Sequence, residues 1–272
     1  MKTILAATDY SATADNAVQF AAHLAQAFKA ELILLNTFHP SVQATNALLS
    51  PEALDNLVRN NKDRLKAQAR DIAKRYGIEA QGVARTMDTV DNLEDYTTWH
   101  QADLVVMGID SNLTEYKLFG NTTTAVIRRL KTPTLVVPNN ITFKGIRKIL
   151  YACEPAFVHE GNRLGMLEDL TRQFAAELQL LHVETKEVDA IAMGNNIHAM
   201  HAVVKQINHS YNVIEHTSVG DGIMQGVKEY QPDLLVMVPH RPGFWERLLN
   251  GSTTREITLK TRVPLLILPN TD

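Results

Sequence analysis

The sequence predicts an α/β protein made of two tandem copies of one unit, each a five-stranded parallel sheet with helices on both faces. Three observations carry this. The chain repeats itself, short β-branched and leucine-rich runs alternate with helical stretches, and 272 residues at 45% hydrophobic content suffice for two ordinary cores.

The repeat fixes the architecture. Gln101-Ala102-Asp103-Leu104-Val105-Val106-Met107 recurs as Gln231-Pro232-Asp233-Leu234-Leu235-Val236-Met237, and Gly120-Asn121-Thr122-Thr123 recurs as Gly251-Ser252-Thr253-Thr254. Both copies close on an apolar strand bracketed by prolines, Pro133 to Pro138 and Pro264 to Pro269. Near their starts, Lys2-Thr3-Ile4-Leu5-Ala6-Ala7 answers to Arg147-Lys148-Ile149-Leu150-Tyr151-Ala152, and Ala30-Glu31-Leu32-Ile33-Leu34-Leu35 to Ala176-Glu177-Leu178-Gln179-Leu180-Leu181. The distance between matched residues shrinks from these early pairs to the later ones. The first copy therefore carries a longer middle segment, between its second and fourth strands. Asn139-Asn140 follows one terminal strand and precedes the next initial one, which gives domains 1–140 and 141–272.

Strands are expected in the first copy at about residues 2–8, 30–37, 80–85, 103–108 and 134–138, and in the second at about 147–153, 178–183, 212–217, 233–238 and 264–268. Their apolar residues run consecutively, as strands covered on both faces require. Helices fill the gaps. The clearest begins at Ser50-Pro51-Glu52, an N-cap followed by proline at the first helical position and an acid in the first turn. Leu54, Leu57, Leu65, Ala69 and Ile72 then recur at helical spacing, and Gly77 closes the helix as a left-handed cap residue does.

Charge excludes some partners. There are 27 basic and 30 acidic residues for a formal net of -3, so no global field gathers nucleic acid or anionic lipid. The single cysteine, Cys153, makes neither an internal disulfide nor a cysteine-rich metal site, and suits a reducing compartment. The start resembles no cleaved leader, and the longest apolar runs, such as Leu104 to Met107 and Leu234 to Val238, are strand-sized. A cytoplasmic protein with no membrane span is expected.

In an open parallel sheet, ligands bind beyond the carboxyl ends of the strands where the strand order reverses. The first strand ends at Thr8-Asp9-Tyr10-Ser11, a carboxylate and a hydroxyl at the head of the next helix. The fourth ends at Met107-Gly108, passes through Ile109-Asp110-Ser111-Asn112, and reaches Gly120-Asn121-Thr122 at the head of another. Glycine admits close backbone approach to phosphate, and helix N-terminal amides and hydroxyls face the anion. Read without further context, Gly108 is equally a turn, and Asp9 and Thr122 are equally helix caps.

These residues resemble the universal stress protein family over nearly the whole chain, twice. Its nucleotide-binding branch has an Asp ending the first strand, a glycine after the fourth, a second glycine three residues on, nine intervening residues, and Gly-Ser or Gly-Thr. The resemblance implies an adenine-nucleotide hydrolase-like, Rossmann-like fold in each copy, with the Asp side toward adenine and ribose and the glycine loop toward the phosphates. Carried over, it implies an ATP site in the first copy at Asp9, Met107, Gly108, Ser111, Gly120, Asn121 and Thr122. Ser111 replaces the second glycine, Asn121 the hydroxyl residue, and Asn112 to Phe119 gives eight intervening residues. The second copy departs further, with Val238 and Arg241 for the two glycines and Glu154 for Asp9, and is read as degenerate for nucleotide. Arg241 and Arg247 still offer side-chain anion contacts. Because Val238 already stands at the matching place, Gly108→Val is expected to abolish any nucleotide binding without unfolding the first copy. An exposed parallel edge wants pairing, and family members pair through their final strands, so an intramolecular pseudo-dimer through 134–138 and 264–268 is expected; further homodimerisation is not legible.

Other clusters carry less. His198 and His201, then His209 and His216, are read as polar surface with no metal expected, Cys153 as a small buried residue, and Met193, Met200 and Phe244-Trp245 as packing or partner surface. No triad or phosphoryl-transfer loop is present, so catalysis is not indicated beyond slow ATP hydrolysis. Three functional readings stay open: a stress-response regulatory module binding ATP in the first copy, a structural or interaction protein that binds no nucleotide and presents its surface to an unknown protein partner, and a small-ligand or metal-binding protein using the remodelled second pocket.

Overall fold

The structure, a computed structural model, describes residues 1–37, 51–85, 89–110, 126, 129, 131–153, 164–185, 204, 207–238 and 263–269. These fall into two compact units, one ending at Phe143 and the other continuing from Lys144.

Unit one runs β1 (Thr3–Ala7), α1 (Ala12–Phe28), β2 (Glu31–Thr37), α2 (Pro51–Tyr76), β3 (Ala80–Arg85), α3 (Thr89–Trp99), β4 (Leu104–Ile109) and β5 (Thr134–Pro138). All five strands are parallel, in the order β3-β2-β1-β4-β5. Ile4, Leu5 and Ala6, Leu32 to Leu35, Leu104 to Val106 and Leu135 to Val137 are buried without a break, because helices cover both faces. The buried face of α1 is largely alanine, including Ala14, Ala17, Ala21, Ala22 and Ala25, so its backbone lies close to the sheet.

Helix α2 starts at Pro51 and ends where the spacing places it. Gly77 is left-handed at φ 64°, its N–H donating to the Ala73 carbonyl at 2.9 Å. Leu65, Ala69 and Ile72 are buried, whereas Leu57 is exposed, so the apolar row engages the unit from its fourth turn.

Unit two runs β6 (Lys148–Ala152), α4 (Gly165–Phe174), β7 (Glu177–Glu184), β8 (His209–Glu215), α5 (Val219–Tyr230), β9 (Leu234–Met237) and β10 (Leu265–Ile267). Its strands are parallel in the order β10-β9-β6-β7-β8, the same topology as unit one. Strand β8 begins three residues before its expected start, with His209 in register with Leu178. It is an edge strand, and an edge accepts the polar residues His209, Ser210 and Asn212 that conceal it in an apolar pattern.

The repeated Gln-x-Asp element proves to be a strand-end device. The Asp103 carboxylate accepts the backbone N–H groups of Lys2 and Thr3, the latter at 3.0 Å, and Asp233 accepts those of Arg147 and Lys148 at 2.7 and 3.0 Å. Each aspartate thus satisfies the first amides of the central strand in its own unit. Left-handed residues recur as well, Lys29 with Ala175 and Gln101 with Gln231, each terminating a helix without a glycine. Among the described residues, no helix is long and apolar enough to cross a membrane.

Candidate functional site at the β1/β4 switch point

From β1 the chain winds one way to β2 and β3, and then returns to the other side of β1 for β4 and β5. The reversal between β1 and β4 makes their carboxyl ends the crevice of unit one. The register pairs Ile4 with Leu104 and Ala6 with Val106, so two steps on Thr8 comes opposite Gly108. The two segments singled out in the sequence are therefore brought together.

The β1 side is a tight turn. Thr8 is buried, its N–H donating to the Leu35 carbonyl at 2.9 Å while its own carbonyl accepts from Asn36 Nδ2 at 2.7 Å. Asp9 is exposed, and its Oδ1 accepts the Ser11 N–H at 2.9 Å. Ser11 Oγ accepts the Ala14 N–H at 3.1 Å, so Ser11, not Asp9, is the cap of α1. Asp9 thus presents a carboxylate to solvent beside the amino-terminus of α1.

Between them Tyr10 is left-handed at φ 64°, a conformation that costs a side-chain-bearing residue about 1–2 kcal/mol. Helix α2 holds it there. The Arg64 guanidinium lies 3.9 Å over the Tyr10 ring, and the Tyr10 hydroxyl donates to Asn61 Oδ1 at 2.7 Å. Asn61 Nδ2 donates in turn to Asn36 Oδ1 at 2.7 Å, which closes a chain of hydrogen bonds from Thr8 to Tyr10 through β2 and α2. Burial pushes the Tyr10 phenol above its ordinary pKa, with Arg64 pulling the other way. Asn36, Asn61 and Arg64 belong to no motif; Asn36 alone leaves a trace, as a polar residue in a buried strand.

The β4 side is set by packing. Met107 is buried, and a Cβ built on Gly108 would lie 2.5 Å from the Thr13 carbonyl oxygen and 2.8 Å from its carbonyl carbon. Residue 108 is glycine because the first turn of α1 passes directly over it. The expectation that valine is tolerated there does not survive this geometry, since backbone cannot yield as a side-chain tip does. Beyond it, Asn139 Nδ2 donates to Asp110 Oδ1 at 2.8 Å, and Asn16 Nδ2 bridges the Pro138 and Ile141 carbonyls at 3.0 and 2.8 Å. Ser111, Gly120, Asn121 and Thr122 lie outside the described residues.

In unit two the reversal falls between β6 and β9, and the register brings Cys153 opposite Val238. Cys153 repeats the backbone bonding of Thr8: its N–H donates to the Leu181 carbonyl at 2.9 Å, and its carbonyl faces His182 Nδ1 at 3.4 Å, where Asn36 stands in unit one. Its thiol is buried and its pKa is pushed far up by desolvation, so it is a packed side chain. Val238 is buried as well. Glu154, Arg241, Arg247, Gly251 and Ser252 lie outside the described residues, as do His198, His201, Met193, Met200, Phe244 and Trp245. His209 and His216 flank opposite ends of β8, about 20 Å apart at strand rise, which is too far for one metal ion. A cleft of about 510 Å³ opens at the amino-terminal ends of β7 and β8, among Arg172, Glu177, His209 and Tyr230, away from the switch point.

The model of the universal stress protein family matches residues 1–138 and 156–269. Among solved structures, a universal stress protein from Archaeoglobus fulgidus DSM 4304 is similar at 15% identity, covering 98% of each chain with a TM-score of 0.77. A functionally unknown protein from Pseudomonas aeruginosa PAO1 is 13% identical over 99% of this chain and 92% of that one, with a TM-score of 0.62. At such identities the likeness shows the fold, a Rossmann-like α/β architecture over the whole chain. A comparison with curated proteins finds no match.

Proposed function

The chain belongs to the universal stress protein family, and from that membership we propose that it is a regulatory binding module that takes up one adenine nucleotide, ATP, in unit one. The observation that carries this reading is the exposed Asp9 carboxylate, held on its fixed turn at the β1/β4 crevice where Thr8 comes opposite Gly108. Asp9 Oδ1 is engaged by the Ser11 amide, which orients the group and leaves its second oxygen to accept from a ribose hydroxyl or the base. The phosphates would then lie toward Ser111 and Gly120 to Thr122, where backbone amides and the Thr122 hydroxyl are the donors. Unit two stays empty of nucleotide in this reading, because Val238 and Arg241 stand for the two glycines and Glu154 for Asp9.

The role is binding and signalling rather than turnover, with ATP hydrolysis at most slow, since rapid hydrolysis requires a general base aimed at water. A buried lone thiol suits work in the cytoplasm. Mass spectrometry of small molecules released from the purified protein, followed by calorimetric titration with ATP, tests the reading. A co-purifying adenine nucleotide or saturable ATP binding supports it; no binding at millimolar ATP sinks it in favour of an interaction protein.

A further inference from the structure

Helix α2 carries Arg59, Lys62, Lys66, Arg70 and Lys74, at steps of three, four, four and four residues. On an α-helix this lays five cations in one row, about 6 Å apart along the axis and roughly 22 Å from end to end. All five are exposed. The helix holds seven basic and four acidic residues, a net of +3, in a chain whose net is -3.

The two other arginines of α2 have intramolecular work, Arg64 over Tyr10 and Arg75 donating to Gln19 Oε1 at 3.4 Å. The row does not. Among the described residues none of the five makes an ion pair, and Arg70 reaches only the Lys66 carbonyl of its own helix, at 3.3 Å. Arg129 and Arg172, by contrast, are paired with Glu94 and Glu168. Like charges three or four residues apart weaken a helix, a cost that Asp55, Asp63 and Asp71 offset only in part from their places three or four residues from Arg59, Lys66 and Lys74. The row is not a requirement of the repeated unit either: the corresponding stretch of the second copy, between Glu184 and His209, has only Lys186 and Lys205.

We propose that the exposed row of α2 is a docking surface for an acidic α-helical segment of a partner protein. A partner helix with carboxylates every fourth residue has the same 6 Å repeat, so one face of it matches the row cation for carboxylate. A membrane is a poor occupant because the apolar face of α2, Leu65, Ala69 and Ile72, is buried in unit one and unable to insert. Nucleic acid is disfavoured by the net charge of -3 and by the absence of an aromatic side chain in the row for bases to stack on. Screening confines the attraction to within about 8 Å at physiological salt, which suits a contact formed locally. The surface stands apart from the nucleotide reading and holds whether or not ATP binds.

The test is fluorescence polarisation with a labelled helical peptide bearing Glu at every fourth position, against the full chain and its Lys62→Gln/Lys66→Gln/Arg70→Gln variant. The comparison probes are a peptide of the same composition with that spacing scrambled, a single-stranded oligodeoxynucleotide, and phosphatidylserine vesicles. Circular dichroism confirms that the variant is folded, and Lys228→Gln on α5 serves as a control for a cation lost outside the row. The spaced peptide is expected to bind, to weaken with salt, and to lose about tenfold in affinity in the triple variant, the sum of three exposed pairs, while the control is unchanged. The proposal is overturned if the spaced peptide does not bind, if the triple variant binds it equally, or if the scrambled peptide, oligonucleotide or vesicles bind as tightly.

Discussion

Replacing Gly108 should destabilise unit one whatever it does to ligand binding. A methyl group there meets the Thr13 carbonyl oxygen at 2.5 Å, and bringing the pair to ordinary contact near 3.4 Å means moving the first turn of α1 by about 0.9 Å. That turn has little room to yield. Ser11 caps it, Asn16 ties it to the Pro138 and Ile141 carbonyls, and Ala14, Ala17 and Val18 are packed on the sheet behind it. Overpacking of this kind costs about 1–3 kcal/mol for Gly108→Ala and more for Gly108→Val. For a unit of this size, Gly108→Ala should lower the melting temperature by roughly 3–12 °C. Differential scanning calorimetry of the ligand-free protein measures it directly. A Gly108→Val protein that melts with the wild type, as the matching Val238 on its own suggests, would refute the close approach of α1 to β4.

Three further outcomes follow from the same geometry. Tyr10→Phe removes the hydroxyl that donates to Asn61 Oδ1 and should cost about 1 kcal/mol in urea unfolding; no change would mean that the link to α2 does not hold the turn. Alkaline pH should weaken unit two, because Tyr211 and Tyr230 are each pushed up to about 12, chiefly by burial, then by Cys153 and Glu184 around Tyr211 and by Glu177 and Asp233 around Tyr230. A phenol raised in the folded state contributes stability that is full below its unfolded pKa near 10 and is lost as pH rises toward 12, so Tyr211→Phe and Tyr230→Phe should flatten the decline of denaturation midpoint over that window, and an unaltered decline would contradict it. Native Cys153 should resist thiol reagents and react once the chain is unfolded in guanidinium; rapid native labelling would mean that the β6 end opens to solvent.

Much of this architecture was legible because the chain states it twice. Matched apolar runs give the ten strands, and the rule that an open parallel sheet binds ligands beyond its strand carboxyl ends, with the family resemblance, points to Asp9 and Gly108; the strand order that makes their meeting a switch point is seen only in the structure. What escaped were features whose cause lies across the fold. Glycine at 108 reads as a phosphate signal in one dimension, while the reason it must be glycine is the passage of Thr13 overhead. Tyr10 gives no sign of a left-handed backbone, since its φ is sustained by Asn61 and Arg64 from a helix far away in sequence. Asp103 and Asp233 were visible as a repeat, yet their work on the amides of β1 and β6 depends on the crossover that brings the strand starts together. The start of strand β8 at His209 is hidden in the sequence because an exposed edge relaxes the apolar pattern that marks a strand.

The most direct measurement of the central claim is the stoichiometry of ATP binding by calorimetry in the wild type, Asp9→Ala and Glu154→Ala proteins. One site per chain is expected, weakened in Asp9→Ala by about 1–3 kcal/mol, as for the loss of one charged hydrogen-bond partner, and unchanged in Glu154→Ala. Because Asp9 is exposed and accepts the Ser11 amide at the surface, this variant should remain folded and report on the ligand. Two equivalent sites, or a loss confined to Glu154→Ala, would contradict a single nucleotide held at the β1/β4 switch point of unit one.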